Sequence, residues 1–352
     1  MAYLARFHEA LPDGRVRCTL CPRDCRLAPG QAGFCAVREN QGGQIVLLAY
    51  GRSTGFAADP IEKKPLNHFL PGSATLSFGT AGCNLGCRFC QNWDISKARL
   101  SQRASVAHTA AEVVQLAIAE GCRSVAFTYN DPVIWAEWAI DVAREARRRG
   151  LRTVLVTAGY VQPRAREELF ADIDAANVDL KGFTERFYAK LTLSHLAPVL
   201  DTLAWLAREG RVWVEVTNLL VPGQNDGREE TRSLSRWVRD NMGRDVPLHF
   251  TAFHPDYKLR DLPRTPVATV TGAREVALAE GLRFVYTGNV RDPGGQTTCC
   301  PACGRAVIVR DGYAIRVVGL DGGRCRGCGA VIPGVFDGAT ASDGARRVLG
   351  LR

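Results

Sequence analysis

The chain has 352 residues, 46% hydrophobic and 23% charged, a composition that suits a folded protein with a sizeable core and excludes a disordered one. Its 45 basic residues outnumber 36 acidic ones, a net charge of +9, but only six are lysines and the arginines are scattered. The one tight run, Arg147 to Arg149, falls at the end of a predicted helix, where cations suit the helix dipole, so neither a nucleic-acid-binding stripe nor a nucleic-acid partner is expected. No apolar run approaches the length that crosses a bilayer, so no membrane association and a cytoplasmic location are expected. Most of the 13 cysteines fall in C-x2-C or C-x3-C steps, which read as metal sites in a reducing compartment rather than as disulfides.

In chain order, the first feature is Cys18-x2-Cys21-x3-Cys25-x9-Cys35, a closed set of four thiolates that suits zinc or a fully ligated [4Fe-4S] cluster equally. From about residue 72 to residue 290, short apolar runs alternate with longer amphipathic ones, the pattern of βα units around a parallel sheet. Seven strands are predicted: Ala74 to Gly79, Ser124 to Thr128, Thr153 to Thr157, Ala176 to Leu180, Val212 to Leu220, Leu248 to Phe253 and Arg283 to Tyr286. Helices fit between them, among them Ala111 to Glu120, Val133 to Arg149 and Glu229 to Asn241; the first two end at Gly121 and Gly150, as helix C-termini often do. The expected fold class is α/β: a partial (β/α) barrel over 72–290, with Cys-rich metal-binding appendages over 1–71 and 291–352. Parallel barrels place their sites at the carboxyl ends of the strands, and the chemically marked residues obey this.

After the first strand stands Gly82-Cys83-Asn84-Leu85-Gly86-Cys87-Arg88-Phe89-Cys90, a C-x3-C-x2-C triplet. Soft thiolates select iron-sulfur clusters, zinc or copper, and a cubane held by three cysteines leaves its fourth iron open to a small molecule. Three buried hydrophobes, or three quarters of a zinc site, are the plainer accounts. Asn130 and Asp131 follow the second strand, with Asp131-Pro132 also reading as a helix cap. Thr157 ends the third strand. Asp179 and Lys181 end the fourth, pointing into the barrel mouth as cofactor contacts or forming a buried ion pair. His254, Asp256 and Tyr257 follow the sixth and offer acid-base groups as catalytic candidates, against a purely structural role for the histidine. Glycines 79, 82 and 86 lack the spacing of a dinucleotide fingerprint. At the rear, Cys300-x2-Cys303 and Cys325-x2-Cys328, each followed by glycine, form a zinc-ribbon signature, with Cys299 adjoining.

The triplet resembles that of the radical S-adenosylmethionine (SAM) superfamily. The resemblance implies a [4Fe-4S] cluster whose open iron is chelated by SAM, reductive cleavage to a 5'-deoxyadenosyl radical, and an external one-electron donor such as a flavodoxin or ferredoxin. It also implies that Phe89 packs against the SAM adenine, and that the segment at Asn130 and Asp131 takes the place of a Gly-Gly-Glu run which this chain lacks. Over nearly its whole length the chain is similar to the radical SAM protein of the AmmeMemoRadiSam system, a group related to pyruvate formate-lyase activating enzyme. The matching segments include Gly33-Phe34-Cys35, Cys90 to Lys97, Asn177 to Gly182, Phe253 to Lys258 and Tyr286 to Val290, with Ala158 where asparagine would be expected. That likeness implies a Memo-like partner and leaves the substrate unidentified, with a protein among the candidates. The expected activity is SAM cleavage with hydrogen abstraction. The alternatives are a glycyl-radical activase and, in another class, a non-catalytic metal or electron-transfer module.

Overall fold

In the computed structural model, which describes residues 3–98 and 106–350, the chain forms a nine-stranded sheet flanked by helices. Its strands are Phe56–Pro60 (β1), Ala74–Phe78 (β2), Ser124–Phe127 (β3), Arg152–Thr157 (β4), Ala175–Asp179 (β5), Trp213–Leu220 (β6), Leu248–Ala252 (β7), Val285–Gly288 (β8) and Arg347–Gly350 (β9). They lie in the order β8-β7-β6-β5-β4-β3-β2-β1-β9, with β2 to β8 parallel, β1 antiparallel to β2 and β9 antiparallel to β1. Since β8 and β9 do not pair, the barrel is partial. All seven predicted strands are present, each within about two residues of its expected ends. The largest shift is in β8, which pairs from Val285 onward while Arg283 donates its backbone N–H to Arg244 O.

The strands form as predicted because their side chains are buried on both faces, so β-branched and aromatic residues run almost unbroken. Phe78 on β2, Phe127 on β3 and Trp135 and Trp138 pack together with ring centroids 5.1–5.8 Å apart. Each such ring contributes roughly 1.5–3 kcal/mol by leaving water. Helix Ala110–Ala119 (α1) opens with a capping box: Thr109 Oγ1 accepts from Glu112 N–H, and Glu112 Oε2 accepts from Thr109 N–H. The predicted helix from Val133 begins instead as a tighter turn over Pro132–Trp135 and becomes α-helical over Ala136–Arg148 (α2), ending before Gly150, where φ is +78°. Helices Ala197–Glu209 (α3) and Arg228–Met242 (α4) follow in later βα units.

Both cysteine-rich ends are bound to the barrel. In front, Arg38 is buried (1% exposed) against Glu137 of α2 (0% exposed), with Arg38 Nη1 and Nη2 donating to the two carboxylate oxygens at 2.9 and 2.7 Å. At the rear, Thr298–Cys299, Ala306–Asp311 and Ala314–Val317 form a small antiparallel sheet whose Val307, Ile308 and Ile315 share a core with Phe284 and Tyr286 of the barrel edge. His68 joins the two bodies: its ring nitrogens lie 2.6 Å from Pro333 O and 2.6 Å from Tyr286 Oη. Among the described residues, no helix is long and apolar enough to cross a membrane.

Candidate active site

The barrel encloses a cavity of about 790 Å³, within the usual range for ligand sites. Cys83, Cys87 and Cys90 line it together, as do Phe89, Asn130, Asp131, Thr157, Asp179 and Lys181. The strand-end residues from β3, β4 and β5 thus converge opposite the triplet loop that follows β2.

That loop is held by its neighbours. Asn130 Nδ2 donates to Gly82 O at 2.8 Å, while its Oδ1 accepts from Thr80 N–H at 3.1 Å and from Trp135 Nε1 at 3.3 Å. Glycine is required at 82, where φ is +86° and a Cβ would lie 2.1 Å from Cys35 O. Asp131 caps the turn after it by accepting from Val133 N–H, and its two oxygens also accept from Thr157 Oγ1 at 2.8 Å and Ala158 N–H at 3.0 Å. Thr157 Oγ1 accepts in turn from Gly159 N–H. The side chains of Asn130, Asp131 and Thr157 are therefore engaged in holding loops while their residues border the cavity.

Asp179 and Lys181 are both paired and cavity-lining: Lys181 Nζ donates to Asp179 Oδ2 at 2.8 Å. Burial opposes the Lys181 charge, but the Asp179 carboxylate outweighs it and holds the ammonium above its ordinary range. The remaining Nζ hydrogens leave Lys181 able to meet an anionic group. Phe89 is buried with its ring 5.8 Å from that of Phe187, giving the cavity one apolar wall.

His254, Asp256 and Tyr257 do not line the cavity. They follow β7 as the sequence places them, but not toward the cavity: β7 ends at Ala252, Phe253 is buried, and Tyr257 adopts φ +48°. Asp256 Oδ1 accepts from Trp93 Nε1 at 3.0 Å, and the Tyr257 ring stacks on Trp93 at 5.8 Å and 13°. They brace the segment following the triplet, while His254 is exposed.

From β7 the cavity receives His249 and Thr251 instead. Alternation in Leu248-His249-Phe250-Thr251-Ala252 would have pointed to them. Also unanticipated are Glu62, Lys64 and Asn67, from the turn after β1, and Arg310 and Arg346 from the rear. Lys64 Nζ donates to Asp59 Oδ2 at 2.7 Å, and Tyr129 Oη donates to the same oxygen at 2.8 Å. Burial lowers Lys64 to about 8 against the opposing pull of Asp59, and burial raises Glu62 to about 6.

The donor set suits a metal cluster. Three soft thiols share one wall, and burial raises Cys83 and pushes Cys87 up to about 12, so those two ionise more readily against a compensating metal charge. At the rear, Cys300, Cys303, Cys325 and Cys328 have sulfurs all within 4.8 Å of one another, with the pairs Cys300–Cys328 and Cys303–Cys325 at 3.6 and 3.7 Å. Cys300 rather than Cys299 belongs to this set.

A family model described as the radical SAM superfamily matches residues 78–234, which include the triplet and the strand ends facing it. The chain belongs to that superfamily. It is 42% identical over 330 residues to an uncharacterized protein of Methanocaldococcus jannaschii, covering 93% of this chain and 98% of that one. The pyruvate formate-lyase-activating enzyme of Clostridium pasteurianum is 23% identical over 205 residues, 54% of this chain and 84% of that one. The pyruvate formate-lyase 1-activating enzyme of Escherichia coli K12 is 25% identical over 190 residues, 52% of this chain and 75% of that one. Among solved structures, a radical SAM methyltransferase from Sphaerobacter thermophilus superposes with a TM-score of 0.49 at 16% identity, covering 62% of this chain and 67% of that one.

Proposed function

We propose that this chain cleaves S-adenosylmethionine reductively and abstracts a hydrogen atom from a substrate held in the barrel cavity. The observation that carries this reading is the convergence of Cys83, Cys87 and Cys90 with Phe89 and the Asp179–Lys181 pair on one cavity. A [4Fe-4S] cluster held by the three cysteines would supply one electron to the SAM sulfonium, releasing methionine and a 5'-deoxyadenosyl radical.

The chain's own residues do the rest. Asn130 keeps the triplet loop in place through Gly82 O and Thr80 N–H. Lys181 offers its charge to the SAM carboxylate, Asp179 accepts from ribose hydroxyls, and Phe89 supplies an apolar face for the adenine. The turn after β1 and the rear sheet contribute further walls to this cavity. At the rear, sulfur separations of 3.6 and 3.7 Å suit one tetrahedral zinc, whose Zn–S distance of about 2.3 Å places its ligands roughly 3.8 Å apart. A reduced flavodoxin or ferredoxin is the proposed electron source, and a protein, with a Memo-like partner, the proposed substrate context.

The test is anaerobic reconstitution with iron and sulfide, followed by incubation with SAM and dithionite. Deoxyadenosine is expected from the wild type and not from Cys87→Ala. Its absence from a wild-type protein that has bound iron would refute the reading. The likeness to activating enzymes over about half the chain favours a second reading, in which the hydrogen comes from a glycine Cα of a partner. A glycyl-radical EPR signal on an added partner would select it.

A further inference from the structure

We propose that Cys18, Cys21, Cys25 and Cys35 hold a second [4Fe-4S] cluster that relays electrons from the protein surface to the triplet; the relay rests on the radical SAM reading, but the cluster site does not. The four cysteines border one small pocket with Leu20 and Leu27. Among the described residues, the rear thiols are the one group of three or more metal-type ligands whose donor atoms all lie within 4.8 Å of one another. The front thiols border one pocket, but no three of them lie that close together. One zinc ion draws four sulfurs to about 3.8 Å separations, whereas a cubane takes each thiolate on a different iron and so holds them further apart. In a single chain the two four-cysteine sets thus differ as a one-ion site and a cluster site differ. Arg38, buried beside this pocket and paired with Glu137, faces the negative charge that four thiolates bring.

Position assigns the role. The carbonyl of Cys35 touches Gly82, immediately before Cys83, so closely that a Cβ there would lie 2.1 Å away. Asn84, immediately after Cys83, borders the front pocket, and Arg23 Nε donates to its carbonyl. The other side of the pocket reaches solvent: Cys21 and Cys25 are partly exposed, and Phe34, beside Cys35, is 48% exposed, with the Arg23 guanidinium 3.5 Å from its ring centroid. The set therefore lies between solvent and the triplet loop. One electron leaves a reduced flavin or iron-sulfur carrier protein, resides on the front cluster, and passes to the triplet's cluster, where sulfonium cleavage consumes it. With all four thiolates in place, no ligand exchange occurs at the front site.

The first measurement is metal content of the full chain purified anaerobically without reconstitution. About eight irons, eight sulfides and one zinc per chain are expected; about four irons and two zincs would overturn the cluster while leaving the radical SAM reading untouched. In EPR of the reduced protein, two cluster signals are expected, one shifted by SAM and one indifferent to it. The Cys21→Ser/Cys25→Ser variant is expected to lose the SAM-indifferent signal and to keep the other. Its ratio of deoxyadenosine formed with flavodoxin hydroquinone to that formed with dithionite is expected to fall about tenfold or more, and an unchanged ratio would overturn the relay. Should that variant not fold, freeze-quench EPR of wild type mixed with flavodoxin hydroquinone decides: the SAM-indifferent signal is expected first, and the reverse order overturns the proposal. Two clusters without any deoxyadenosine would refute the radical SAM reading and leave the front site standing.

Discussion

At Gly82 two constraints coincide: a left-handed backbone and the carbonyl of Cys35 where a side chain would begin. Gly82→Ala is therefore expected to cost about 2 kcal/mol or more and to lower iron binding, checked by urea unfolding and iron analysis. A variant as stable as wild type would show that the contact relaxes freely. Lys181 makes a different case, since its nearest partner, Asp179, takes only one of its hydrogens. Lys181→Met is expected to weaken SAM binding to the reconstituted protein about tenfold, measured by equilibrium dialysis, with secondary structure unchanged. Phe89, Asp179 and Lys181 were legible in the sequence because triplet spacing and strand-end position are local signals. Lys64, Glu62 and Arg310 were not, because only tertiary folding brings a turn after β1 and a distant rear strand to the same cavity. That His254, Asp256 and Tyr257 lie off the cavity was not legible for a similarly local reason: the left-handed turn at Tyr257 leaves no strong trace in residue type.

Among elements, the parallel strands were legible because burial on both faces demands continuous apolar runs, and the helices because caps and amphipathic periodicity mark their ends. What escaped was the junction between elements. Nothing in the order of residues pairs Arg38 with Glu137, yet this buried ion pair fastens the front cysteine segment to α2. Arg38→Met is expected to cost about 3–5 kcal/mol by leaving Glu137 charged and alone, and adding Glu137→Leu to recover most of that loss. Additive losses in denaturant unfolding would contradict this. Burial works against the Glu137 carboxylate, but Arg38 outweighs it and keeps the group below its ordinary range. The pair's stabilisation is accordingly present above the usual carboxylate pKa of about 4.5 and lost as pH falls through the lower folded value. For the rear sheet, metal removal is expected to abolish amide-exchange protection between Thr298 and Cys325 while the barrel strands keep theirs, because so small a segment depends on its ion. Protection surviving a chelator would point to a self-sufficient fold.

Over the whole molecule, His68 links the barrel to the rear body, and the groups around it are Glu215, His249, Arg310 and Tyr286. Burial lowers its pKa to about 4 from 6.5, so the folded state takes up a proton less readily than the unfolded one. Stability is expected to be level above pH 6.5 and to fall between there and about pH 4, by on the order of 3 kcal/mol from this residue. Glu62, raised to about 6, acts in the opposite sense, so the comparison belongs between wild type and His68→Gln at pH 7 and pH 5. A wild-type profile no steeper than that of the variant would refute the assignment.

The pairing of β9 with β1 sets Arg347 opposite Ala58, further apart in sequence than the two ends of the barrel. An edge closed by so distant a partner is a high-contact-order event, slow because the intervening loop must be ordered before the contact is gained. Folding of this protein should thus end at that edge, with β2 to β7 protected against exchange before Arg347–Gly350 in pulse labelling. Simultaneous protection would argue for a single concerted step. The cavity floor and the triplet loop would then exist for a time beside an unfinished wall, and that interval, while the barrel stands ajar, is when an iron-sulfur carrier has the easiest passage to the three cysteines.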